Sequence, residues 1–449
     1  MNAIWLLMGL LALSYVGSLL VGGRAIRGMG LPSGVEYVVL GFFLGPTGLG
    51  LVDRAMLSTF EPFAHVALGW LMFVVGITFG MTGDRRVRTT RLIGGLFVSL
   101  LSGGAVFAAA WLFLAWYSPL SPIDRLLAAG GIGAAGAETT RYAVRWVATR
   151  HHAEGPVSDL VNEIAESDDL IPILAVAFLF ALHPPAVAFH LPAVGWMGIT
   201  AGLGILLGGM AALLIGRTFH LGETWGVLLG MSLLAVGTAE RLGLSSISAL
   251  FVMGVTLSAL SPHRRELRRI LSPTEHPVML PALLLAGAYT DVSVAKYLPY
   301  LVVTAIVART LIKSLIGLGL LGIAPVARRA GPRLGLGLLS AGALAMSVGL
   351  AFTLRFPGPV GSLVLACAAA MTLFGEVVGP ASLRSVLTRA GETKDDPPPP
   401  VKATATATPT STSTSTSTST PVPSSSSMRP SAMPSMRPSA LPDDTGAAR

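Results

Sequence analysis

The chain has 449 residues, of which 52% are hydrophobic and only 12% are charged. Soluble domains carry roughly 25% charged residues, so a chain this apolar cannot cover the two or three water-exposed domains that its length would otherwise imply. The single cysteine, Cys367, excludes a disulfide scaffold. The formal net charge of +8 would suit a nucleic-acid-binding protein, but most basic residues stand in short loops between apolar runs. These features predict a protein embedded in lipid.

Thirteen apolar segments are long enough to cross a bilayer, for which about 20 mostly apolar residues are needed. We therefore predict an all-α, multi-pass membrane protein of about thirteen transmembrane helices. The first segment lacks both the basic start and the cleavage site of a signal peptide, so we expect it to be a retained span. The segments are residues 3–22, 33–52, 62–82, 92–117, 126–149, 158–182, 190–216, 223–239, 244–261, 277–295, 298–323, 335–354 and 359–383.

The basic residues predict the orientation of these spans. With the N-terminus outside, nineteen basic residues fall on the inner side of the membrane and five on the outer side. This is the asymmetry of the positive-inside rule, and it accounts for the net charge without a nucleic-acid partner. We expect insertion in the cell (inner) membrane. The inner residues are Arg24, Arg27, Arg85, Arg86, Arg88, Arg91, Arg141, Arg145, Arg150, Arg217, Arg264, Arg265, Arg268, Arg269, Arg328, Arg329, Arg333, Arg384 and Arg389, and the outer residues are Arg54, Arg125, Arg241, Lys296 and Arg355.

The composition changes near residue 391, where sequence rich in Pro, Ser and Thr replaces the apolar segments. Such sequence has no apolar face to bury. Residues 391–449 are therefore predicted to form a disordered cytoplasmic tail, and residues 1–390 the transmembrane domain. A docking or phosphorylation segment and a tolerated extension are both compatible with this tail.

An internal duplication is predicted from two glycine-rich segments at matching positions, residues 128–140 and 335–349. Gly136 and Gly342 lie 206 residues apart. Repeats of opposite orientation, with glycine-interrupted spans at corresponding places, are common in transporters. We predict inverted six-helix repeats with two discontinuous helices; the repeats cover residues 1–182 and 223–390, and residues 190–216 form the linking span.

The first glycine-rich segment is predicted to be a helix break near mid-membrane. It contains a GxGxxG pattern, but the strand and the soluble βαβ unit of a dinucleotide site are missing around it. Each glycine costs close to 1 kcal/mol of helix propensity, so a cluster favours unwinding. Unwound backbone at this depth is tolerated only beside a cavity or inside the protein. Glu138, Thr139 and Thr140 end the segment, and their oxygen atoms are hard ligands that suit an alkali cation.

The sixth segment carries the strongest functional signal. Its apolar part, residues 170–182, is too short to cross a bilayer, so the polar half must complete the crossing and place Asp168 and Asp169 near mid-depth. A carboxylate there costs roughly 2.5–3.5 kcal/mol, which favours a cavity or a partner. The alternative is that the pair only caps a helix beginning at Leu170.

Helical phase separates the two aspartates. At 100° per residue, Asp169 falls with Asp159, Asn162 and Glu166 in a sector of about 80°. These four residues are predicted to form a polar stripe from the inner end of the helix to mid-membrane. Asp168 points about 100° away, toward neighbouring helices.

Three further charges are predicted inside the membrane. Arg309 and Lys313 are four residues apart, hence on one helix face, and each is a candidate partner for Asp168. The alternative for Lys313 is that its long side chain reaches the inner surface. For Glu376, in the last segment, a structural ion pair is favoured over ion binding. No cofactor is predicted, and no metal site beyond the alkali-cation ligands at the helix break.

Four segments carry recognisable motifs: residues 30–52 (GLPSGVEYVVLGFFLGPTGLGLV), 68–80, 333–352 and 372–392. In this order they resemble the second, third, twelfth and last spans of bacterial monovalent cation/proton antiporters of the sodium/hydrogen exchanger superfamily. These motifs occur in family order over roughly residues 30–390. The resemblance implies a thirteen-span inverted-repeat bundle, with a dimerisation domain and a mobile core domain that contains two crossed, broken helices.

The resemblance also implies roles for individual residues. In the family the second residue of an acidic pair binds the cation or proton; this falls on Asp169, with Asp168 as its partner. The hydroxyl position of the crossing helix falls on Thr139 or Thr140.

The basic residue of the facing helix falls on Arg309, with Lys313 as second choice. The sequence departs from the family pattern at Glu138, a carboxylate in the crossing helix, and this departure bears on ion selectivity.

We therefore expect a secondary active antiporter, not an enzyme, that exchanges Na⁺ or K⁺ for protons at a mid-membrane aspartate and forms a homodimer. Which cation is carried, and whether net charge moves, are left open by the sequence. Two alternatives remain: a transporter of organic anions with the same broad architecture, and a membrane sensor that transports nothing. An intramembrane hydrolase is disfavoured because no Ser/His or metal constellation lies inside the spans.

Overall fold

A computed structural model describes residues 34–80, 89–183, 191–216 and 220–394. The predicted first span and residues 395–449 lie outside these ranges. The described chain forms sixteen helices. They are α1 (Glu36–Leu44), α2 (Arg54–Gly80), α3 (Thr89–Tyr117), α4 (Pro122–Ala137), α5 (Arg141–Arg150), α6 (Pro156–Ser167), α7 (Leu170–Ala181), α8 (Ala193–Ile215), α9 (Leu221–Arg241), α10 (Ser246–Leu260), α11 (Arg264–Tyr289), α12 (Leu298–Ile323), α13 (Ala327–Ala330), α14 (Leu334–Gly337), α15 (Ala343–Arg355) and α16 (Pro359–Arg389).

Six of the described helices, α2, α3, α8, α9, α12 and α16, are long and apolar enough to cross a membrane. The helix α12 has the predicted bounds, because its apolar run is limited at both ends by turn residues. Several other predicted spans correspond to helices that are interrupted: α4 with α5, α6 with α7, and α14 with α15. The interruptions divide apolar runs whose total length had suggested single helices.

The helix α11 begins earlier than predicted. The apolar run had suggested a span at residues 277–295, but the helix covers Arg264–Tyr289 and contains Pro273, Pro277 and Pro281. Its first half carries many charges, which concealed it from a hydropathy criterion. This helix therefore brings polar side chains, among them Glu275, into the bundle.

The described helices pack as two groups. We call α1, α2 and α8–α11 the first group, and α3–α7 with α12–α16 the second group; contacts within each group far outnumber those between them. In the first group, α2 and α10 approach closely at Gly76 and Gly254, where an added Cβ would collide with Phe251 and Phe73 carbonyl oxygens respectively. The interface between the groups consists mainly of α2 and α11 facing α15, and of α7 facing α8 and α10.

Two helices of the second group are broken, as predicted, but the first break is shorter than the glycine-rich segment. Helix α4 continues through Gly131, Gly133 and Gly136 and ends at Ala137, and only residues 138–140 are extended. An added Cβ at Gly133 would lie 2.8 Å from the Gly103 carbonyl oxygen, so this glycine serves close packing against α3. The second break covers residues 338–342, between α14 and α15.

The described chain continues beyond the boundary predicted at residue 391. Residues 391–394, assigned to the tail by composition, pack against the start of α6. The Glu392 carboxylate is buried and accepts hydrogen bonds from the backbone N–H groups of Val157 and Ser158, both at 2.8 Å. These four residues are thus held by polar contacts, which a change in composition does not reveal.

Candidate ion-binding site

Asp168 and Asp169 lie where α6 passes into α7, and both side chains are buried. Pro172 has no N–H group, so the Asp168 carbonyl lacks the helical donor four residues ahead. The Ser99 hydroxyl of α3 donates to this carbonyl at 2.8 Å. The Asp169 side chain makes no capping hydrogen bond to α7. The capping alternative is therefore not observed, and the carboxylate is available for other partners.

The two breaks lie against each other. The Thr140 N–H donates to the Ser340 carbonyl at 3.0 Å, which joins residues 138–140 to residues 338–342. We call these two stretches the crossing segments. Because neither stretch is helical, carbonyl groups beside the breaks lack the N–H partner that a continuing helix would supply.

Arg309 supplies many of these partners. It lies in α12 and is 1% exposed, and its guanidinium donates to carbonyls of both crossing helices. The acceptors are the carbonyl oxygens of Gly136 at 3.1 Å, Glu138 at 2.6 Å, Leu339 at 2.5 Å and Ser340 at 3.3 Å. The C-terminal end of a helix carries partial negative charge, so a cation here stabilises α4 and α14.

Lys313 repeats this arrangement one turn along α12. Its ammonium donates to the Glu138 and Leu338 carbonyls and to the Thr139 hydroxyl, at 2.8 to 2.9 Å. Within the described residues, Arg309 and Lys313 donate to the backbone and to Thr139, and neither makes a hydrogen bond to the Asp168 carboxylate. The two cations are hydrogen-bonded instead to backbone carbonyls that the breaks leave without helical partners. The charge of Asp168 acts on both cations, and their charge-compensating role stays a prediction.

Glu138 caps the other half of the crossing. Its Oε2 accepts hydrogen bonds from the N–H groups of Gly342, at 3.3 Å, and Ala345, at 2.5 Å, at the start of α15. A carboxylate at a helix N-terminus satisfies unpaired donors and matches the positive end of the helix dipole. The carboxylate that departs from the family pattern thus has a structural partner in the second broken helix.

Asp169 has a side-chain cation beside it that the sequence did not predict. Arg141, the first residue of α5, places Nη1 at 3.3 Å from Asp169 Oδ2 and Nη2 at 2.6 Å from Glu275 Oε1. The three side chains line a cavity of about 30 Å³, together with Glu138 and Thr140. A cavity of this size holds about one water molecule, and an alkali cation stripped of its water requires similar space.

The predicted polar stripe leads to this cavity. Asp159 is exposed, Asn162 and Glu166 are half-buried and Asp169 is buried, so exposure falls steadily along one face of α6. Glu166 accepts hydrogen bonds from Arg145 at 2.6 Å and from Asn162 at 3.1 Å. The stripe provides polar groups from the end of α6 to the buried carboxylate.

A second, larger cavity of about 630 Å³ lies at the other end of α2, α11 and α15. We call it the vestibule; its lining includes Ser58, Glu61, Asp291 and Thr353. Between the vestibule and the site cavity the same three helices meet in an apolar seam with no room for water. The seam is lined by Leu68, Leu71, Met279, Ala282, Leu283, Ala286, Ala343, Met346, Ser347 and Leu350.

Glu376 lies in α16 and is buried at 1% exposure. Its charge acts on Arg309, which places it beside the crossing rather than in the site cavity. The expected ion-pair role remains a prediction. Within the described ranges, no cluster of three or more His, Cys, Asp or Glu side chains is arranged to hold a metal.

Comparison with known proteins decides the family. Residues 12–387 match the family described as sodium/hydrogen exchanger, transmembrane. The chain belongs to the sodium/hydrogen exchanger family. The exchanger is therefore a multi-pass membrane transporter and not an enzyme, and family membership implies antiport of cations and protons. The resemblance seen in the sequence motifs is confirmed.

A solved structure agrees with this assignment. The fold of the exchanger is similar to that of the sodium proton antiporter MjNhaP1 from Methanocaldococcus jannaschii at pH 8, with a TM-score of 0.63 at 15% sequence identity. The match covers 87% of this chain and 99% of that chain. At this identity the likeness is one of fold. No curated protein sequence matches the exchanger significantly.

Sequence reasoning missed two residues of the site, Arg141 and Glu275. Arg141 was assigned to the inner ends of the spans by the charge rule, although it directly follows the predicted break. That adjacency was the available signal, because a residue beside an unwound segment faces the same cavity. Glu275 stands between prolines in SPTEHP and was placed in a loop, so no pattern could have paired it with Arg141.

Proposed function

We propose that the exchanger moves Na⁺ or K⁺ against protons by alternating access, with Asp169 as the carboxylate that holds either ion. The observation that carries this proposal is the position of Asp169, buried in a small cavity beside the crossing segments and at the inner end of a polar stripe. A bare carboxylate is costly at such a place, so it holds either a proton or a cation. Competition between the two couples their gradients without ATP or a cofactor.

The other predicted ligands take graded roles in this proposal. Thr140 lines the cavity and offers its hydroxyl to the cation, whereas Thr139 is committed to Lys313. Asp168 is the second carboxylate; its buried oxygens have no hydrogen-bond partner among the described residues, which leaves it free to share a proton or ion charge with Asp169. Glu138, Arg309 and Lys313 hold the crossing segments in place.

The two cavities support alternating access. On α15, the site cavity reaches Ala343 and Leu344 and the vestibule begins at Thr353. At 1.5 Å per residue the two cavities are about 15 Å apart along the helix, and the apolar seam fills the space between them. Movement of the second group past the first would open this seam and close the polar stripe. Asp169 would then face the opposite side.

The proposal also includes the wider organisation predicted from the sequence. We propose the thirteen-span bundle of two inverted six-helix repeats, residues 1–182 and 223–390, joined by the span at 190–216. We further propose an outer N-terminus, a cytoplasmic tail and a homodimer in the inner membrane. Apolar side chains exposed along α8, such as Val194 and Leu213, suit contact with lipid or with a second copy.

Anion transport is the weaker alternative. An organic anion would need a free cation in the site, but four of the five N–H donors of Arg309 are engaged with backbone carbonyls. The acidic residues along the stripe would also repel an anion. These features favour cation exchange.

The test is ion flux through purified exchanger in sealed vesicles. We expect proton movement driven by Na⁺ or K⁺, measured with Na⁺, K⁺ and Li⁺ at several pH values, with and without a membrane potential. Asp169→Asn should reduce exchange to the level of empty vesicles, because an amide cannot release a proton or balance a cation. Glu223→Gln, at an exposed position on α9, is the matched control and should behave as wild type. Wild-type exchange by Asp169→Asn would refute the assignment.

A further inference from the structure

The guanidinium of Arg141 stands where a transported cation would be expected. It is 7% exposed and approaches Asp169 inside the site cavity. Its position is unfavourable by itself, because Arg141 begins α5 and a helix N-terminus carries partial positive charge. This cost is therefore compensated by the two carboxylates that Arg141 faces, those of Asp169 and Glu275.

These two contacts are unequal. The Arg141–Glu275 pair, at 2.6 Å, has the length of a strong charge-assisted hydrogen bond, whereas the 3.3 Å to Asp169 is beyond the usual range for such bonds. The Arg141 guanidinium also lies 5.6 Å from the centre of the Tyr142 ring, within the range of a cation–π contact. Arg141 is thus anchored at Glu275 and only loosely bound at Asp169.

The anchor lies in the other helix group. Glu275 belongs to α11 of the first group, while Arg141 and Asp169 belong to α5 and the α6–α7 junction of the second group. The Arg141–Glu275 ion pair therefore crosses the interface along which the proposed movement takes place. Any shift of one group against the other changes how far the guanidinium can reach toward Asp169.

We propose that Arg141 is a built-in competitor for the cation at Asp169, and that Glu275 sets the strength of this competition by holding Arg141 back. This inference rests on the proposed function, and it assigns Arg141 and Glu275 as positioning residues that tune cation affinity. When no cation is bound, Arg141 partly neutralises Asp169. When a cation arrives, Arg141 withdraws toward Glu275.

The test compares the apparent KM for the transported cation, Na⁺ or K⁺, with the maximal exchange rate in three variants. Glu275→Gln should raise the apparent KM by about five- to tenfold, because the released Arg141 binds Asp169 more closely. Arg141→Gln should lower the apparent KM, because the competitor is gone. In the double variant the effect of Glu275→Gln should disappear. Glu223→Gln again serves as the control for loss of a carboxylate.

A purely structural ion pair predicts a different pattern. Both single variants would then lose thermal stability and maximal rate with an unchanged KM, and the double variant would recover them; this pattern would overturn the inference. If Arg141→Gln does not fold, Glu275→Gln alone decides, since an unchanged KM refutes the proposal. Stabilisation of each detergent-solubilised variant by Na⁺ or K⁺ in thermal unfolding gives a second reading of affinity.

The inference and the proposed function fail in different ways. Exchange at the wild-type rate by the Asp169→Asn protein would refute the assignment of Asp169 as the ion-binding carboxylate. The other outcome is an inactive Asp169→Asn protein with unchanged KM values in the Arg141 and Glu275 variants. It would refute the competitor role of Arg141 and leave the proposed function standing.

Discussion

At the scale of single residues, the crossing is an electrostatic arrangement of three buried charges. Arg309 and Lys313 bind carbonyls at helix C-termini, and Glu138 binds N–H groups at the start of α15. Each charge has the sign that the adjacent helix end favours. The carboxylate also offsets part of the charge of the two cations, so its removal would leave more positive charge uncompensated.

Glu138→Gln is therefore expected to destabilise the exchanger by about 1.5–3 kcal/mol, because a charged acceptor of two backbone N–H groups is replaced by a neutral one. Thermal unfolding in detergent measures the loss, with Glu223→Gln as the matched exposed control. A Glu138→Gln protein as stable as the control would show that the cap contributes nothing.

Sequence reasoning identified most of the buried charges but not their partners. Asp168, Asp169, Arg309 and Lys313 stood out because each charge interrupts an apolar run. Their partners could not be predicted, because the carbonyls that bind Arg309 are available only once two distant helices are broken and crossed. Backbone acceptors leave no trace in the side-chain pattern.

At the scale of elements, α6 is held at its start by the end of the described chain. Both oxygens of Glu392 accept N–H groups of α6, and an added Cβ at Gly155 would collide with this carboxylate. The backbone adds two further bonds, from Glu154 to Glu392 and from Lys394 to His151. The helix that carries the polar stripe is thereby connected to the root of the C-terminal segment.

Glu392→Gln is expected to cost about 0.5–2 kcal/mol of local stability, as other lost N-terminal caps do. Hydrogen exchange at the Val157 and Ser158 amides in detergent should become faster. Lys394→Gln is the control: its ion pair with Glu154 is exposed and 3.4 Å long, and should contribute less than about 0.5 kcal/mol. Equal exchange rates in the two variants would contradict the capping role.

The positions of the helix breaks show where sequence prediction of elements fails. The glycine cluster correctly indicated a discontinuous helix, yet the glycines remain helical and pack against α3 and α16. Unwinding occurs at residues 138–140, where Arg309 and Lys313 take the carbonyls. Helix propensity therefore indicated the region of the break, whereas tertiary contacts determine which residues in it are unwound.

At the scale of the whole molecule, a vestibule, an apolar seam and a site cavity follow one another along α2, α11 and α15. Each of these helices contributes to all three levels, so the order is a property of the interface between the two groups. The length of apolar runs predicted the six described helices that are long enough to cross a membrane, because the thickness of the bilayer fixes that length. The interface was not predicted, because it depends on which helix faces pair.

Movement at this interface should be visible by labelling single cysteines. The native Cys367 is buried at 0% exposure and would be replaced by Ser. In that background, Leu68→Cys, which lies in the seam and lines neither cavity, should react with an impermeant thiol reagent at rates that change several-fold when the transported cation is added. Ser58→Cys in the vestibule should react in both conditions, and a seam cysteine that never reacts would contradict alternating access along this path.

The contacts of Arg309 have a mechanical consequence. Its guanidinium donates hydrogen bonds to backbone carbonyls of both broken helices. The acceptors are Gly136 and Glu138 in the first and Leu339 and Ser340 in the second. Scissor-like opening at this point would rupture several buried bonds at once. In the proposed movement, we therefore expect the two interrupted helices to move together as one rigid body.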